Sequence, residues 1–145
     1  MQTLHAASDK IKIRLMSFFI ASPVGCIMGV LGSAKIRRCS MIKVSVMYPN
    51  KPGARFNHEY YRDKHMPLVK SKMGANCKYY TVDKGLAGGS PGAPATYVGM
   101  CHIFCDSVEA FQAGFGPHAN EILGDIPNYT DLSPVIQISE VVVGH

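Results

Sequence analysis

The stretch ATYVGMCHIFC, residues 95–105, decides the fold. Read with a period of two it is a strand, and both of its faces are apolar. Tyr97, Cys101 and Ile103 lie on one; Val98, Met100 and Phe104 lie on the other. An antiparallel sheet face that meets water alternates polar with apolar residues, and neither row here does. This is a central strand whose second face needs a cover of its own. The most economical cover is the same face of a second copy, so a homodimer is expected.

Three further strands and two helical regions surround this one. Residues 42–48 (IKVSVMY) alternate Ile42, Val44, Val46 and Tyr48 with Lys43, Ser45 and Met47, and PNKPG at 49–53 breaks the pattern. Residues 57–73 read as a helix capped by Asn57, with Glu59 in the first turn, Gly74 as its stop and a kink at Pro67. Residues 77–84 (CKYYTVDK) form a strand. The glycine-rich link 85–94 leads into a strand rather than a helix, so it is no phosphate cradle. A second helix begins at Asp106, with Asp106 as cap and Glu109 at its third position. Gly116-Pro117 interrupts it and opens another turn to Leu123; residues 135–143 (VIQISEVVV) close the chain as a strand. The order βαββαβ is α+β and ferredoxin-like: a four-stranded antiparallel sheet with helices on one face and strands one and three in the centre.

Charge divides the chain in two. The net +5 arises before Met41, where six Lys/Arg meet one Asp; from Met41 onward nine oppose nine. A neutral domain at 41–145 removes the basis for a nucleic-acid partner. In the leader 1–40, residues 15–34 carry no charge and follow Lys10, Lys12 and Arg14. Three origins fit: a secretory signal ending in Gly32-Ser33-Ala34, a membrane anchor of minimal length, or a start site placed too early, with translation beginning at Met41. Membrane contact is expected only if the leader is genuine. Cys101 and Cys105, four residues apart on one strand, are roughly 13 Å from each other, beyond the ~7 Å a disulfide spans. Reduced thiols and a cytoplasmic location are expected.

Residues 41–72 contain Phe56, Tyr60-Tyr61 and His65-Met66-Pro67-Leu68-Val69. With GMCH at 99–102, DIPNYT at 125–130 and QISEV at 137–141, this pattern resembles the EthD family over nearly all of 41–143 and nothing before it. The resemblance implies a dimeric α+β barrel, two sheets packed face to face. Family members are associated with ethyl tert-butyl ether degradation alongside a haem monooxygenase system. Barrel relatives include cofactor-free monooxygenases, cyclases, isomerases and haem-binding proteins, so the resemblance narrows fold more than reaction.

His65 is the leading catalytic candidate. At ~100° per residue Tyr61, His65, Leu68 and Val69 fall on one helix face, which places an imidazole able to move protons near neutral pH beside a phenol. A structural role competes: the ring could satisfy carbonyls freed by Pro67. The expected substrate-binding residues are Tyr48, His102, His118 and Phe104. Packing competes for each, His102 as a core histidine needing a partner, His118 as a capping surface group, Tyr48 as strand packing. No metal is expected, since His65, His102 and His118 lack a recognisable ligand spacing, and no cofactor is required. The expected function is acid–base chemistry on a small hydrophobic, oxygenated or aromatic compound in catabolism, of oxygenase, cyclase or isomerase type, with His65 as acid–base group and Tyr61 positioning the substrate. The other reading is a noncatalytic accessory binding a hydrophobic ligand for a monooxygenase; a third is a purely structural dimer.

Overall fold

The alternation in the first strand places Ile42, Val44 and Tyr48 on the buried side of a sheet and leaves Lys43 and Met47 half-exposed on the other. The computed structural model describes residues 41–144, so the leader and its three origins lie outside the described residues. Strands β1 (Ile42–Pro49), β2 (Tyr79–Lys84), β3 (Tyr97–Cys105) and β4 (Val135–Glu140) form one antiparallel sheet in the order β2-β3-β1-β4. Strands one and three are central, as the ferredoxin-like order requires. Three strands, β2, β3 and β4, are shorter than the stretches read as strands from the sequence. The ladder ends with the Val141 amide donating to the Met41 carbonyl at 2.8 Å, and Val142 and Val143 beyond it are exposed.

Helices cover one face. The first helical region has three parts: α1 (His58–Tyr60), a π-helical turn (Tyr61–His65) and α2 (Met66–Met73). Asn57 caps it, its side chain accepting from the Tyr60 amide at 3.0 Å, and Gly74 ends it at φ +55, a conformation costly for other residues. The widened turn, closed by the Met66 amide on the Tyr61 carbonyl, falls just before Pro67. It also rotates α2 relative to the turn before it. Tyr61, His65, Met66, Val69 and Met73 are buried while Leu68 is only half-buried, correcting the face expected from a regular 100° step.

The second helical region comprises α3 (Val108–Phe115), a 3-10 turn (Gly116–His118) and α4 (Ala119–Gly124). Its cap is Ser107 rather than Asp106: extended Ser107 accepts from the Ala110 amide at 3.1 Å, and Asp106 instead pairs with Lys78 at 2.7 Å. Phe111, Phe115, Ile122 and Leu123 pack toward the sheet.

A last 3-10 turn (Ile126–Asn128) leads back to β4, and the segment around it is bolted to residues 54–57. Phe56 bridges Thr130, the Asn57 amide donates to the Tyr129 carbonyl at 2.8 Å, and Thr130 Oγ1 donates to the Arg55 carbonyl at 2.8 Å. The Arg55 guanidinium holds the carbonyls of Pro127 and Asn128. The tip of the Phe56 ring also abuts β3 at Gly99, where a Cβ would come within 2.6 Å of it.

The other sheet face carries Met47, Tyr79, Val98, Met100, Phe104 and Val135, with Tyr79 stacked on Phe104 at 4.2 Å. Tyr79 is 45% and Val135 46% exposed in the single chain. That is the row whose cover a second copy would supply.

Candidate active site

The helix-facing side of β1 and β3 ends in a small cavity of ≈ 40 Å³, within a cleft of ≈ 490 Å³ when its open mouth is included. Tyr48, Tyr61, His65 and Cys101 are the polar residues of a lining otherwise apolar, which includes Val44, Met66, Phe111 and Ile136. The enclosed part holds a few waters or a polar head group.

His65 stands at the end of the π turn, 5% exposed. Its Nδ1 meets Asp125 Oδ2 at 2.8 Å and its Nε2 faces the Tyr129 hydroxyl at 3.4 Å. The ring stacks on Tyr61, centroids 5.5 Å apart and planes 14° apart. Its nitrogens therefore go to side chains and not to carbonyls freed by Pro67. The Tyr129 hydroxyl lies 2.6 Å from that of Tyr48. Asp125 Oδ1 accepts from the Tyr60 hydroxyl and from Asn128 Nδ2, each at 2.8 Å. The network thus runs Asp125–His65–Tyr129–Tyr48, from the molecule's margin to the cavity wall. Among the described residues no buried side-chain N or O atom lacks a hydrogen-bond partner.

Environment sets the charge states. Burial pushes the His65 imidazole below its ordinary value, and the hydrogen bond and charge of Asp125 offset this only in part. Burial would raise Asp125, but hydrogen bonds from Asn128, His65 and Tyr60 outweigh it and hold the carboxyl below the usual range. At neutral pH the pair is a carboxylate and a neutral ring. A carboxylate only accepts, so the ring proton sits on Nδ1 and the Nε2 lone pair faces Tyr129. Burial raises the phenols of Tyr48, Tyr61 and Tyr129 and keeps them protonated. It pushes the Cys101 thiol, bonded to the Tyr61 hydroxyl, up to about 11, so Cys101 is a neutral wall group and no nucleophile.

Of the residues expected from sequence, the fold brings Tyr48, Tyr61 and His65 to one cavity. It does not bring the others there. His102 and Phe104 project from the opposite sheet face, because residues of even number on β3 point away from the helices. His118 lies half-buried in the turn between α3 and α4, away from the cavity lining. Periodicity and spacing do not single out Asp125, Tyr129 or Cys101; all three lie within the family-like segments DIPNYT and GMCH, the one signal in the sequence that points to them.

His102 has partners of its own. Cross-strand register sets it opposite Ser45, whose Oγ lies 2.8 Å from its Nδ1, and Asp83 Oδ2 lies 3.3 Å from its Nε2. Burial lowers the ring, with Asp83 opposing and Lys43 assisting. Serine, imidazole and carboxylate stand in triad order, yet β1 and β3 are central strands whose amides are consumed by the ladder. No N–H pair is left there for an oxyanion. Among the described residues no group of three or more His, Cys, Asp or Glu is placed to hold a metal ion.

Comparison with known proteins agrees with the segments quoted from the sequence. The EthD domain family matches residues 54–133. The crystal structure of an EthD-like protein from Ralstonia eutropha JMP134 is 60% identical, covering 73% of this chain and 96% of that one, with a TM-score of 0.71. An ethyl tert-butyl ether degradation (EthD) family protein from Bacillus halodurans C-125 is 18% identical over 69% of this chain and 97% of that one, with a TM-score of 0.49. Among proteins of curated function, none matches the chain. The matched segment contains the π turn, Asp125 and Tyr129, and by it the chain belongs to the EthD family.

Proposed function

We propose that this EthD-family protein is a small acid–base enzyme acting, without an obligatory cofactor, on an apolar compound that carries one oxygen function. The observation that carries this is the 2.8 Å bond from His65 Nδ1 to Asp125 at the wall of an apolar cavity. A carboxylate on one ring nitrogen fixes the tautomer, leaves the other as the base, and stabilises the imidazolium that proton transfer creates. Tyr61 fixes the ring plane by stacking, and the surrounding hydrocarbon side chains strengthen each charge interaction. The enclosed space suits the oxygen-bearing head of a substrate, its apolar remainder lying toward the mouth.

The mostly apolar lining of the cavity supports a second reading, a noncatalytic carrier of a hydrophobic intermediate for a monooxygenase. Incubation with a panel of phenols, 1,3-diketones and alkyl ethers, with products followed by mass spectrometry, separates the two. The enzyme reading expects turnover that drops ~10²–10⁴-fold in His65→Ala with the circular dichroism spectrum unchanged. Compounds that bind and return unaltered, more weakly to His65→Ala, support the carrier.

We further propose that the working form is a homodimer closed over Met47, Met100 and Phe104, supported by the half-exposed apolar row on that face. The buried free thiols of Cys77, Cys101 and Cys105 favour a reducing, cytoplasmic setting. Among the described residues no helix is long and apolar enough to cross a membrane.

A further inference from the structure

We propose that Tyr48, rather than His65, is the group that meets the ligand, and that Tyr129 carries the proton between them. On this view the cavity takes a phenol or an enol. The inference rests on the acid–base reading of His65 and adds the route and the ligand class.

Both nitrogens of His65 are committed, Nδ1 to Asp125 and Nε2 to Tyr129. A ligand reaching Nε2 directly must displace Tyr129. That side chain is wholly buried, its carbonyl is held by the Asn57 amide, and its ring packs against Tyr48, Phe56, Tyr61 and His65. Tyr48 and His65 both line the cavity and Tyr129 does not, but the two ring nitrogens of His65 are turned to Asp125 and Tyr129. The 2.6 Å contact between the two hydroxyls makes Tyr48 the end of the network that a ligand can touch without breaking it.

The proton balance is simple. A ligand O–H donates to the Tyr48 oxygen; the Tyr48 proton passes to Tyr129, and the Tyr129 proton to His65 Nε2. The ligand ends as an oxyanion accepting from Tyr48, and His65 as an imidazolium beside the Asp125 carboxylate. No bond but O–H and N–H changes. The 3.4 Å step from Tyr129 to Nε2 must shorten, as catalytic contacts commonly do in a complex. The proton ends on His65, whose imidazole burial holds below its ordinary value, so the ligand that ionises most readily is an acidic phenol or the enol of a 1,3-diketone. An aliphatic alcohol does not ionise there.

The probe is 4-nitrophenol, an acidic phenol whose absorbance distinguishes phenol from phenolate, titrated into the full-length protein below the probe's solution pKa. Bound probe should be ionised in the wild type. Tyr129→Phe should bind it but reduce the ionised population about tenfold or more, the effect of one pKa unit. His65→Gln should do the same, and Tyr48→Phe gives the identical expectation should Tyr129→Phe not fold. Probe ionised normally in Tyr129→Phe and Tyr48→Phe but neutral in His65→Gln overturns the relay and leaves His65 as a direct base. Probe that stays neutral on the wild type, or does not bind, overturns the relay together with the acid–base reading.

Discussion

Replacing Asp125 by asparagine keeps the shape of the site and removes its charge. In the folded chain the carboxylate accepts three hydrogen bonds of 2.8 Å, from Tyr60, Asn128 and His65. An amide has one accepting oxygen. If that oxygen keeps Tyr60 and Asn128, the NH₂ group faces His65 Nδ1, which must become an acceptor. The ring proton then moves to Nε2, turning the base into a donor toward Tyr129. Bonds to charged groups contribute ~1.5–3 kcal/mol and neutral ones ~0.5–1.5. Exchanging one class for the other at a side chain 14% exposed should therefore cost about 2–3 kcal/mol at neutral pH. For a domain of this size that lowers Tm by roughly 10 °C or more. The loss must depend on pH. Asp125 is held below the usual carboxylate range, so its contribution is complete above about pH 4, the unfolded value, and disappears as pH falls through the folded one. Denaturant unfolding at several pH values gives the energies, and nitrogen-15 NMR of the imidazole gives the tautomer. Turnover, once a substrate is in hand, should drop ~10²–10⁴-fold with the lost base. A variant whose His65 still carries its proton on Nδ1, or whose stability matches wild type at pH 7, would refute the assignment of Asp125 as the residue that orients the ring.

Four other outcomes are expected. A chain beginning at Met41 should melt at the same temperature as the full-length protein, because the described residues by themselves build a core from Ile42 to Leu132; a markedly lower Tm would assign residues 1–40 to the fold. Sedimentation at micromolar concentration should find a dimer, and Phe104→Asp should convert it to monomer; a well-folded wild-type monomer would end the face-to-face reading. Gly99→Ala should destabilise by ~1–3 kcal/mol in urea, the usual cost of overpacking, since its Cβ meets the Phe56 ring at 2.6 Å; a neutral effect would mean that Phe56 moves freely. Finally, the folded His65 pKa lies below the ordinary imidazole value, so the unfolded chain binds the extra proton first. Stability should therefore fall as pH drops below about 6.5 until the folded value is reached, and His65→Gln should flatten that slope.

How much of the fold and site is legible in the sequence depends on whether a residue's direction follows from local periodicity. Strand parity carries over faithfully, so Tyr97–Cys105 reads as a central strand with two apolar rows, and Tyr48 falls on the same side as Val44. Parity does not say which row the helices cover, and so His102 and Phe104 group with residues that lie across the sheet from them. The helix face is legible at Tyr61, His65 and Val69 and misjudged at Leu68, which is half-buried while Met66, beside the widened turn before Pro67, is buried. Asp125 and Tyr129 belong to a loop, where no period exists. They reach His65, sixty and sixty-four residues away, only because contacts from Phe56, Asn57 and Arg55 fix that loop. The same limit hides the second histidine's partners, since Ser45 and Asp83 meet His102 through register alone. The outcome is two neutral histidines on opposite faces of one sheet, each between a carboxylate and a hydroxyl. Residue type does not separate them; surroundings do. The His65 and Asp125 side chains are 6% and 14% exposed and adjoin a cavity, whereas those of His102 and Asp83 are 21% and 45% exposed in the single chain, on the face that the proposed dimer would cover. Within one chain only the first pair has the low-dielectric wall that makes a single proton transfer energetically consequential, and that wall is a product of the helices' placement, which the order of elements fixes and the identity of no single residue does.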